Sequence, residues 1–408
     1  MGNRSSPGCD ARSLGRTQGA SISVDMGATE DGARGRAARP GGTDCFPPNP
    51  PNPAPRDEAP RLPGEIFARE IHEQPDALLS LLEHEAEYAA VARAIEDRAP
   101  TLIRFVGHGS SDNAATYGVY AFGLLPRLTA VRDSISLSVY YDAELDFSAS
   151  VVIALSQSGR TPDVVEYVKR ARARGAFTVA LTNENGSELE QIAHATLPLA
   201  AGAEWAVAAT KTYVNQLAAL ALLAGGIAGR GVELADAVRA TAELLSRSLS
   251  TFDAGVRPIA TSFAYVGRMY AIGRGLEFAT AREIALKLTE TCRIAAKPLT
   301  ATDLAHGPVA ALDSLFPVWA IASRDASLPA VIEAATRVRD AGATIVGSGS
   351  AADEIDASYV LPVPVAPTPV LAPLLSVVPG QLFAAALAQT KGYDADRPEG
   401  LNKVTIAR

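Results

Sequence analysis

The stretch Val151–Ala176, VVIALSQSGRTPDVVEYVKRARARGA, decides the fold. Residues 151–155 are all apolar, which is typical of a parallel strand covered on both faces. The residues that follow suit the start of a helix: Thr161 can cap it, Pro162 suits its first turn, and Asp163 complements the positive end of its dipole. We therefore predict a buried strand that leads directly into a helix, the repeating unit of a parallel α/β sheet.

Small polar residues fill the turn between this strand and this helix. Ser156-Gln157-Ser158-Gly159 lies where the carboxyl end of the strand meets the amino end of the helix. Ligands of open α/β sheets bind at such places, and free backbone N–H groups there favour anions. The turn alone fits a phosphate cradle and an ordinary turn rich in capping residues equally well.

Composition and charge restrict the class of protein. The chain has 408 residues, of which 48% are hydrophobic and 20% charged, so it is globular and has room for two domains. The net charge is −8 and the globular part has no strong basic cluster, which disfavours nucleic acid and anionic membranes as partners. The richest apolar run, Leu217–Ala224, is too short to span a bilayer, so we expect no membrane segment.

Cysteine and histidine spacing gives no sign of a metal. The three cysteines form no CxxC pair, and the five histidines form no H-E-x-x-H pattern. We expect no metal, no cofactor and a reducing, cytoplasmic location. The two G-x-G turns have Asp112 and Phe278 where a dinucleotide fingerprint needs its third glycine, and no phosphate-binding G-x-x-x-x-G-K-[ST] loop exists. Nicotinamide and ATP are thus disfavoured.

The two halves of the chain repeat one pattern. Residues 105–109 match residues 271–275 at an offset of 166, and residues 154–157 match residues 320–323 at the same offset. This repetition predicts an internal duplication, with two doubly wound α/β domains that each have a mainly parallel sheet.

The predicted organisation has five parts. The first 60 residues contain nine Pro and nine Gly, a level typical of disordered low-complexity sequence. The parts are a disordered tail (1–60), N-terminal helices (61–98), a first domain (99–250), a second domain (251–395) and a C-terminal active-site tail (396–408).

Several motifs carry a family resemblance. The duplicated pattern with VGHGSSDNA, ALSQSGRTPD and AVAATKTY resembles the sugar isomerase (SIS) domain pair over residues 64–408. The motifs GRGLEFATAREIALKLTE, DLAHGPVA and PEGLNKVTIAR resemble the isomerase half of glucosamine-6-phosphate synthases. They resemble still more closely the glucosamine-6-phosphate deaminases built on that half.

The resemblance implies a role for each matching residue. Glu290 would move a proton between C1 and C2 of the sugar, with Glu283 and Lys287 as neighbours on one helix. His306, after the loop-like segment 297–305, would open the sugar ring in the partner subunit of a homodimer, and Lys403 would reach the C1–C2 region. The implied substrate-binding residues are Ser110 and Ser111 near the phosphate, Ser156, Gln157, Ser158 and Thr161 in the phosphate cradle, and Val207 and Ala208 along the sugar.

The spacing of the acidic helix is compatible with this chemistry. Glu283, Lys287 and Glu290 stand at i, i+4 and i+7, so they share one helix face. A positioned carboxylate can shuttle a proton between adjacent carbons, and histidine suits ring opening near neutral pH. Without the resemblance, a solvated, salt-bridged helix face is the simpler interpretation.

Departures from the family pattern leave the substrate open. The sequence shows no N-terminal glutaminase domain, so we expect deamination or plain isomerisation instead of synthesis. After the acidic helix, this chain has Ala295-Ala296-Lys297 where the family has His-Ala-Glu. Ala209 stands where the synthases usually have a serine, and Ala305 stands before His306, where the family often has lysine. We predict conversion of glucosamine-6-phosphate to fructose-6-phosphate and ammonia. The alternatives are another amino-sugar or fructosamine phosphate deaminase, an isomerase without ammonia release, or a non-catalytic sugar-phosphate sensor.

Overall fold

The computed structural model describes residues 62–403. The disordered tail predicted over residues 1–60 lies outside the described residues, and so does the end of the predicted active-site tail, 404–408. Within the described residues, three helices precede the first strand. They are α1 (Glu65–His72), α2 (Gln74–Leu82) and α3 (Glu85–Glu96).

The first sheet has five parallel strands in the order β2-β1-β3-β4-β5. Its central strand β3 is buried along its whole length because neighbouring strands and helices cover its apolar residues, as the opening stretch predicts. Val151 of this strand pairs with Ile103 on one side and Phe177 on the other. The strands are β1 (Leu102–Val106), β2 (Ala130–Arg132), β3 (Ser150–Leu155), β4 (Phe177–Thr182) and β5 (Ala195–Pro198).

Helices connect these strands and then lead into the second half. The helix that follows β3 begins at Pro162, as predicted. The 32-residue helix α9 is continuous across the predicted domain boundary at residues 250 and 251. The helices are α4 (Ser110–Leu124), α5 (Ile135–Val139), α6 (Pro162–Ala173), α7 (Glu188–Ile192), α8 (Lys211–Ile227) and α9 (Gly231–Ser262).

The second sheet repeats the order of the first. It runs β10-β9-β8-β6-β7, and each half, counted from its own first strand, therefore has the order 2-1-3-4-5. All of its strand pairs are parallel. The predicted fold class, two duplicated doubly wound domains with parallel sheets, is confirmed. The strands are β6 (Arg268–Gly273), β7 (Ala295–Thr300), β8 (Val318–Ile321), β9 (Ile345–Gly349) and β10 (Tyr359–Pro362).

Buried helices join the two halves around one large apolar core. The Tyr213 hydroxyl on α8 donates to the carbonyl of Ala279, 3.3 Å away in the second half. A Cβ atom at Gly380 would lie 2.4 Å from the Ile284 side chain, so a glycine lets the two helices approach. The helices of the second half are α10 (Glu277–Cys292), α11 (Ala301–Ala305), α12 (Leu328–Asp340), α13 (Ala372–Ser376) and α14 (Val378–Lys391).

The sequence analysis did not identify one long apolar helical stretch. Residues Pro369–Lys391 are long and apolar enough to cross a membrane by length and composition alone. In the folded chain, 83% of the most apolar window is buried inside the protein. The stretch packs against α9 and α10, so its apolar character is that of a core helix.

Candidate active site

A cavity of about 430 Å³ opens at the carboxyl ends of β1 and β3. The chain leaves these adjacent strands in opposite directions, which makes this the switch point where doubly wound sheets bind ligands. Nine residues predicted to form the site line the cavity: Ser110, Ser111, Ser156, Gln157, Ser158, Thr161, Val207, Glu290 and Lys403.

The turn after β3 has a fixed shape. Gly159 has a φ of 61°, and a Cβ atom there would lie 2.3 Å from the Ser187 hydroxyl, so only glycine fits. The Ser156 hydroxyl accepts the N–H of Gly159 at 3.1 Å. Thr161 stands at the cap position of α6, but its side chain caps no backbone N–H and instead lies 3.0 Å from the Ser156 hydroxyl. The expected side-chain cap is therefore wrong, and this hydroxyl belongs to the cavity wall.

The Glu283, Lys287 and Glu290 face of α10 is a buried ionic cluster. Lys287 has no exposed side-chain surface, and its ammonium lies 3.3 Å from Glu283 and 2.6 Å from Glu290. Glu283 is also fully buried, whereas Glu290 keeps 22% of its side chain exposed and faces the cavity. The alternative of a solvated helix face therefore does not describe these residues.

Burial and charge together set the protonation of this cluster. Burial raises the pKa of Glu283, although Lys287 and the Asn113 amide oppose that rise. Burial alone would lower the pKa of Lys287, but the carboxylates of Glu283 and Glu290 outweigh it and raise that pKa. The ammonium is thus a permanent charge that holds Glu290 at the cavity wall.

Two serines at the start of α4 line the cavity and also form hydrogen bonds with side chains behind its wall. The Ser110 hydroxyl donates to Glu283 at 2.8 Å, so in this structure it connects the cavity wall to the ionic cluster. The Ser111 hydroxyl accepts from the Gln216 amide at 2.9 Å, which leaves its own hydrogen free to donate. Ala208 is buried and does not line the cavity, whereas the next residue, Ala209, does.

Lys403 enters the cavity paired with a residue that the sequence analysis missed. Its ammonium lies 2.6 Å from Glu204 and donates to the carbonyl of Ala206 at 2.7 Å. Burial opposes ionisation of Glu204, but Lys403 and the backbone N–H groups of Thr210 and Thr212 outweigh it and lower the pKa to about 2. The available signal was a single acid in the otherwise apolar run AGAEWAVAA.

His306 lies away from the cavity of its own chain. It is exposed at the end of α11 and does not line the cavity. The segment before it is not a loop: it forms strand β7 and helix α11, whose start is held by a capping box between Thr300 and Asp303. Lys297 is exposed on β7 and does not line the cavity either.

The cavity also contains a histidine–aspartate pair that the sequence analysis did not single out. His108 follows β1, and its Nε2 atom lies 2.6 Å from an Asp163 carboxylate oxygen at the start of α6. The histidine keeps 54% of its side chain exposed, and both residues line the cavity beside the Ser156–Ser158 turn. The sequence feature that could have indicated this pair is His108 within the motif VGHGSS.

The equivalent place in the second sheet is filled by the protein itself. The buried Glu277 carboxylate accepts hydroxyl hydrogen bonds from Thr280 at 2.6 Å and Ser376 at 2.8 Å, and it also binds Ser323. Ser323 follows β8 as the Ser-Gln-Ser turn follows β3. An internal carboxylate therefore occupies the position at which the first half has its open cavity. Among residues 62–403, no group of three or more His, Cys, Asp or Glu side chains is arranged to hold a metal.

The fold and the cavity define a duplicated, doubly wound α/β protein with a polar site at the switch point of its first half. The model of the SIS domain matches residues 100–225 and 262–391, and the chain belongs to this family.

Its relatives are enzymes of sugar-phosphate metabolism. The chain is 34% identical over 347 residues to the glutamine–fructose-6-phosphate aminotransferase (isomerizing) of Methanothermobacter thermautotrophicus, covering 84% of this chain and 57% of that relative. The C-terminal domain of the glucosamine-fructose-6-phosphate aminotransferase from Francisella tularensis has a TM-score of 0.76 at 25% identity, covering 85% of this chain and all of that one. The glucosamine-6-phosphate deaminase of Thermotoga maritima shares the fold, with a TM-score of 0.67 at 19% identity over 84% of this chain and all of that one.

Proposed function

We propose that the chain is an enzyme that converts glucosamine-6-phosphate and water to fructose-6-phosphate and ammonia. The observation that carries this proposal is the position of Glu290. Its carboxylate faces the same cavity as the Ser-Gln-Ser turn and is held there by a fully buried lysine. The names of the relatives support a sugar phosphate as substrate.

The turn after β3 binds the phosphate in this proposal. Ser156, Ser158 and Thr161 offer hydroxyls, and the amino end of α6 adds backbone N–H groups and the positive end of the helix dipole. These groups suit a phosphate dianion because they supply hydrogen-bond donors. They do so without a large cluster of basic residues, as expected in a chain of net charge −8.

Glu290 acts as the proton shuttle. In the open-chain sugar, its carboxylate takes the proton from C2, the electron pair forms a double bond between C1 and C2, and the C1 carbonyl oxygen takes up a proton from solvent to become a hydroxyl. Return of the first proton to C1, with loss of one proton from the nitrogen to solvent, leaves an imine at C2. Water then adds at C2 and the C–N bond breaks, which gives the ketone of fructose-6-phosphate and one ammonia. A positioned carboxylate typically contributes a factor of about 100 to 10,000 to such a step.

Lys403 and His306 complete the site in this proposal. Lys403 lines the cavity as a cation and stabilises negative charge that develops at the C1–C2 region. His306 is exposed and does not line the cavity of its own chain, so in this proposal the partner subunit's His306 opens the ring in a homodimer.

A second candidate substrate class is supported by Ala209. This residue lines the cavity with a methyl group where the family resemblance implies a hydroxyl, so a different amino-sugar phosphate or a fructosamine phosphate fits the same machinery. The test is ammonia release from a panel of 2-amino-2-deoxy-sugar 6-phosphates and fructosamine 6-phosphates. The highest kcat/KM is expected for glucosamine-6-phosphate. Ammonia release from none of them would contradict the proposed function.

A further inference from the structure

The first helix reaches the active site although it lies outside the segments that match the family model. Helix α1 spans 65–72, whereas the matched segments begin at residue 100. Glu70 on this helix has no exposed surface. One of its carboxylate oxygens accepts the N–H of Trp205, and the other accepts the N–H of Ala206 at 3.2 Å. These two residues directly follow Glu204, the partner of Lys403.

The C-terminal tail holds the same helix and the same loop from the other side. The Asp396 carboxylate accepts the N–H of Phe67 at 2.7 Å and of Ile66 at 3.2 Å. The Asp396 carbonyl accepts the N–H of Val207, a cavity residue, at 2.9 Å. The loop 204–209 is therefore clamped between α1 and the tail that carries Lys403.

Charged groups from three elements face Glu70. They are Glu204 in the loop, Lys403 in the tail, and Lys211 at the start of α8, which is itself paired with Glu73. Burial and the charge of Glu204 raise the pKa of Glu70 to about 7, against the opposing effects of the Trp205 N–H and the two lysines. Each oxygen of the Glu70 side chain accepts one backbone N–H, and the ionised carboxylate accepts on both oxygens better than the neutral acid does. Burial acts in the opposite direction, because it favours the neutral acid.

We propose that Glu70 is a positioning residue of the active site, whose carboxylate holds the loop 204–209 and, through it, the Glu204–Lys403 pair. The inference rests on the proposed function for what the positioned lysine does, but the loop contact itself does not depend on it. Protonation of Glu70 turns one oxygen into a hydroxyl, weakens its hold on the loop and loosens the Lys403 anchor.

Trp205 reports on this contact directly. The chain has two tryptophans: Trp205 keeps 41% of its surface exposed, while Trp319 is fully buried. Quenching of tryptophan fluorescence by acrylamide therefore follows Trp205 without any substrate. The variants are Glu70→Gln and, as a matched control, Glu277→Gln, which removes another buried carboxylate far along the chain from this loop.

The full-length wild-type chain is expected to become more easily quenched as the pH falls through about 7. Glu70→Gln should be easily quenched at every pH, and its kcat/KM should fall about tenfold or more at pH 8. Glu277→Gln should keep the wild-type transition. Equal quenching profiles and equal kcat/KM for Glu70→Gln and wild type would overturn the proposal. If the wild type converts no sugar phosphate but the Trp205 transition is present and lost in Glu70→Gln, the loop assignment stands and the proposed function fails.

Discussion

The ammonium of Lys287, which has no exposed surface, lies 2.6 Å from a carboxylate oxygen of Glu290. The same ammonium lies 3.3 Å from the fully buried Glu283, whose carboxylate also accepts from Ser110 and Asn113. Glu290 is the one member of this trio that lines the cavity. The buried pair thus supports the orientation of the single carboxylate that can reach a substrate.

Replacing Glu290 with Gln separates chemistry from binding. The amide keeps the shape of the side chain but cannot take up a proton, so kcat should fall about 100- to 10,000-fold. Binding of the sugar phosphate, measured by calorimetry, should remain close to that of the wild type. A variant with nearly normal turnover would show that another group carries the proton.

Replacing Lys287 with Met tests the buried cluster. The change leaves Glu283 buried without its cation, and loss of one partner of a buried pair typically costs about 3–5 kcal/mol of unfolding free energy. Lys169→Met is the matched control, because Lys169 pairs with Glu188 at the exposed surface, where such pairs contribute about 0.2–1 kcal/mol. Urea unfolding measures both variants. Equal losses would mean that the Lys287 cluster contributes no more than a surface pair.

Replacing Ser158 with Ala tests the phosphate cradle. Loss of one hydrogen bond to a charged group should weaken binding of phosphorylated sugars by about 1.5–3 kcal/mol. Unphosphorylated sugars should bind as they do to the wild type. Ser148→Ala is the control, because Ser148 is exposed and lies two residues before β3, and it should change neither. An equal loss for both sugar classes would contradict the assignment of this turn to the phosphate.

Features encoded in neighbouring residues could be read from the sequence. The β3–α6 unit follows from an apolar run and three helix-start residues, and the duplication follows from a constant offset, so both were predictable without tertiary information. The segment 297–305 was misread as a loop because Pro298 weakens the strand pattern. Proline is tolerated on an edge strand, and among residues 62–403 β7 pairs only with β6.

Features that depend on burial and distant contacts could not be predicted. Spacing places Glu283 and Lys287 on one face of α10, but only packing shows that this face is buried. Glu70 and Glu204 are separated by most of the first half of the chain, and nothing local indicates that they meet beside Lys403. For Glu204 the available signal was a single acid in apolar surroundings, and the partners of both acids come from tertiary structure.

Mixed subunits test whether the site is shared between two chains. In the proposed homodimer, the Glu290→Gln and His306→Ala variants should each be nearly inactive. After joint dissociation and reassembly, a mixed dimer has one site with an intact Glu290 and the partner's intact His306, and a second site that lacks both. Activity should therefore reappear on mixing. Verified mixed dimers that stay inactive would show that His306 does not act in the neighbouring site.

The most direct test of the proposed deamination is the stoichiometry of the reaction with glucosamine-6-phosphate. The full chain is incubated with this sugar with and without a metal chelator, and ammonia and fructose-6-phosphate are measured together. Equal amounts of the two products and no effect of the chelator are expected. Isomerised sugar that keeps its nitrogen, or a reaction abolished by the chelator, would contradict the proposal.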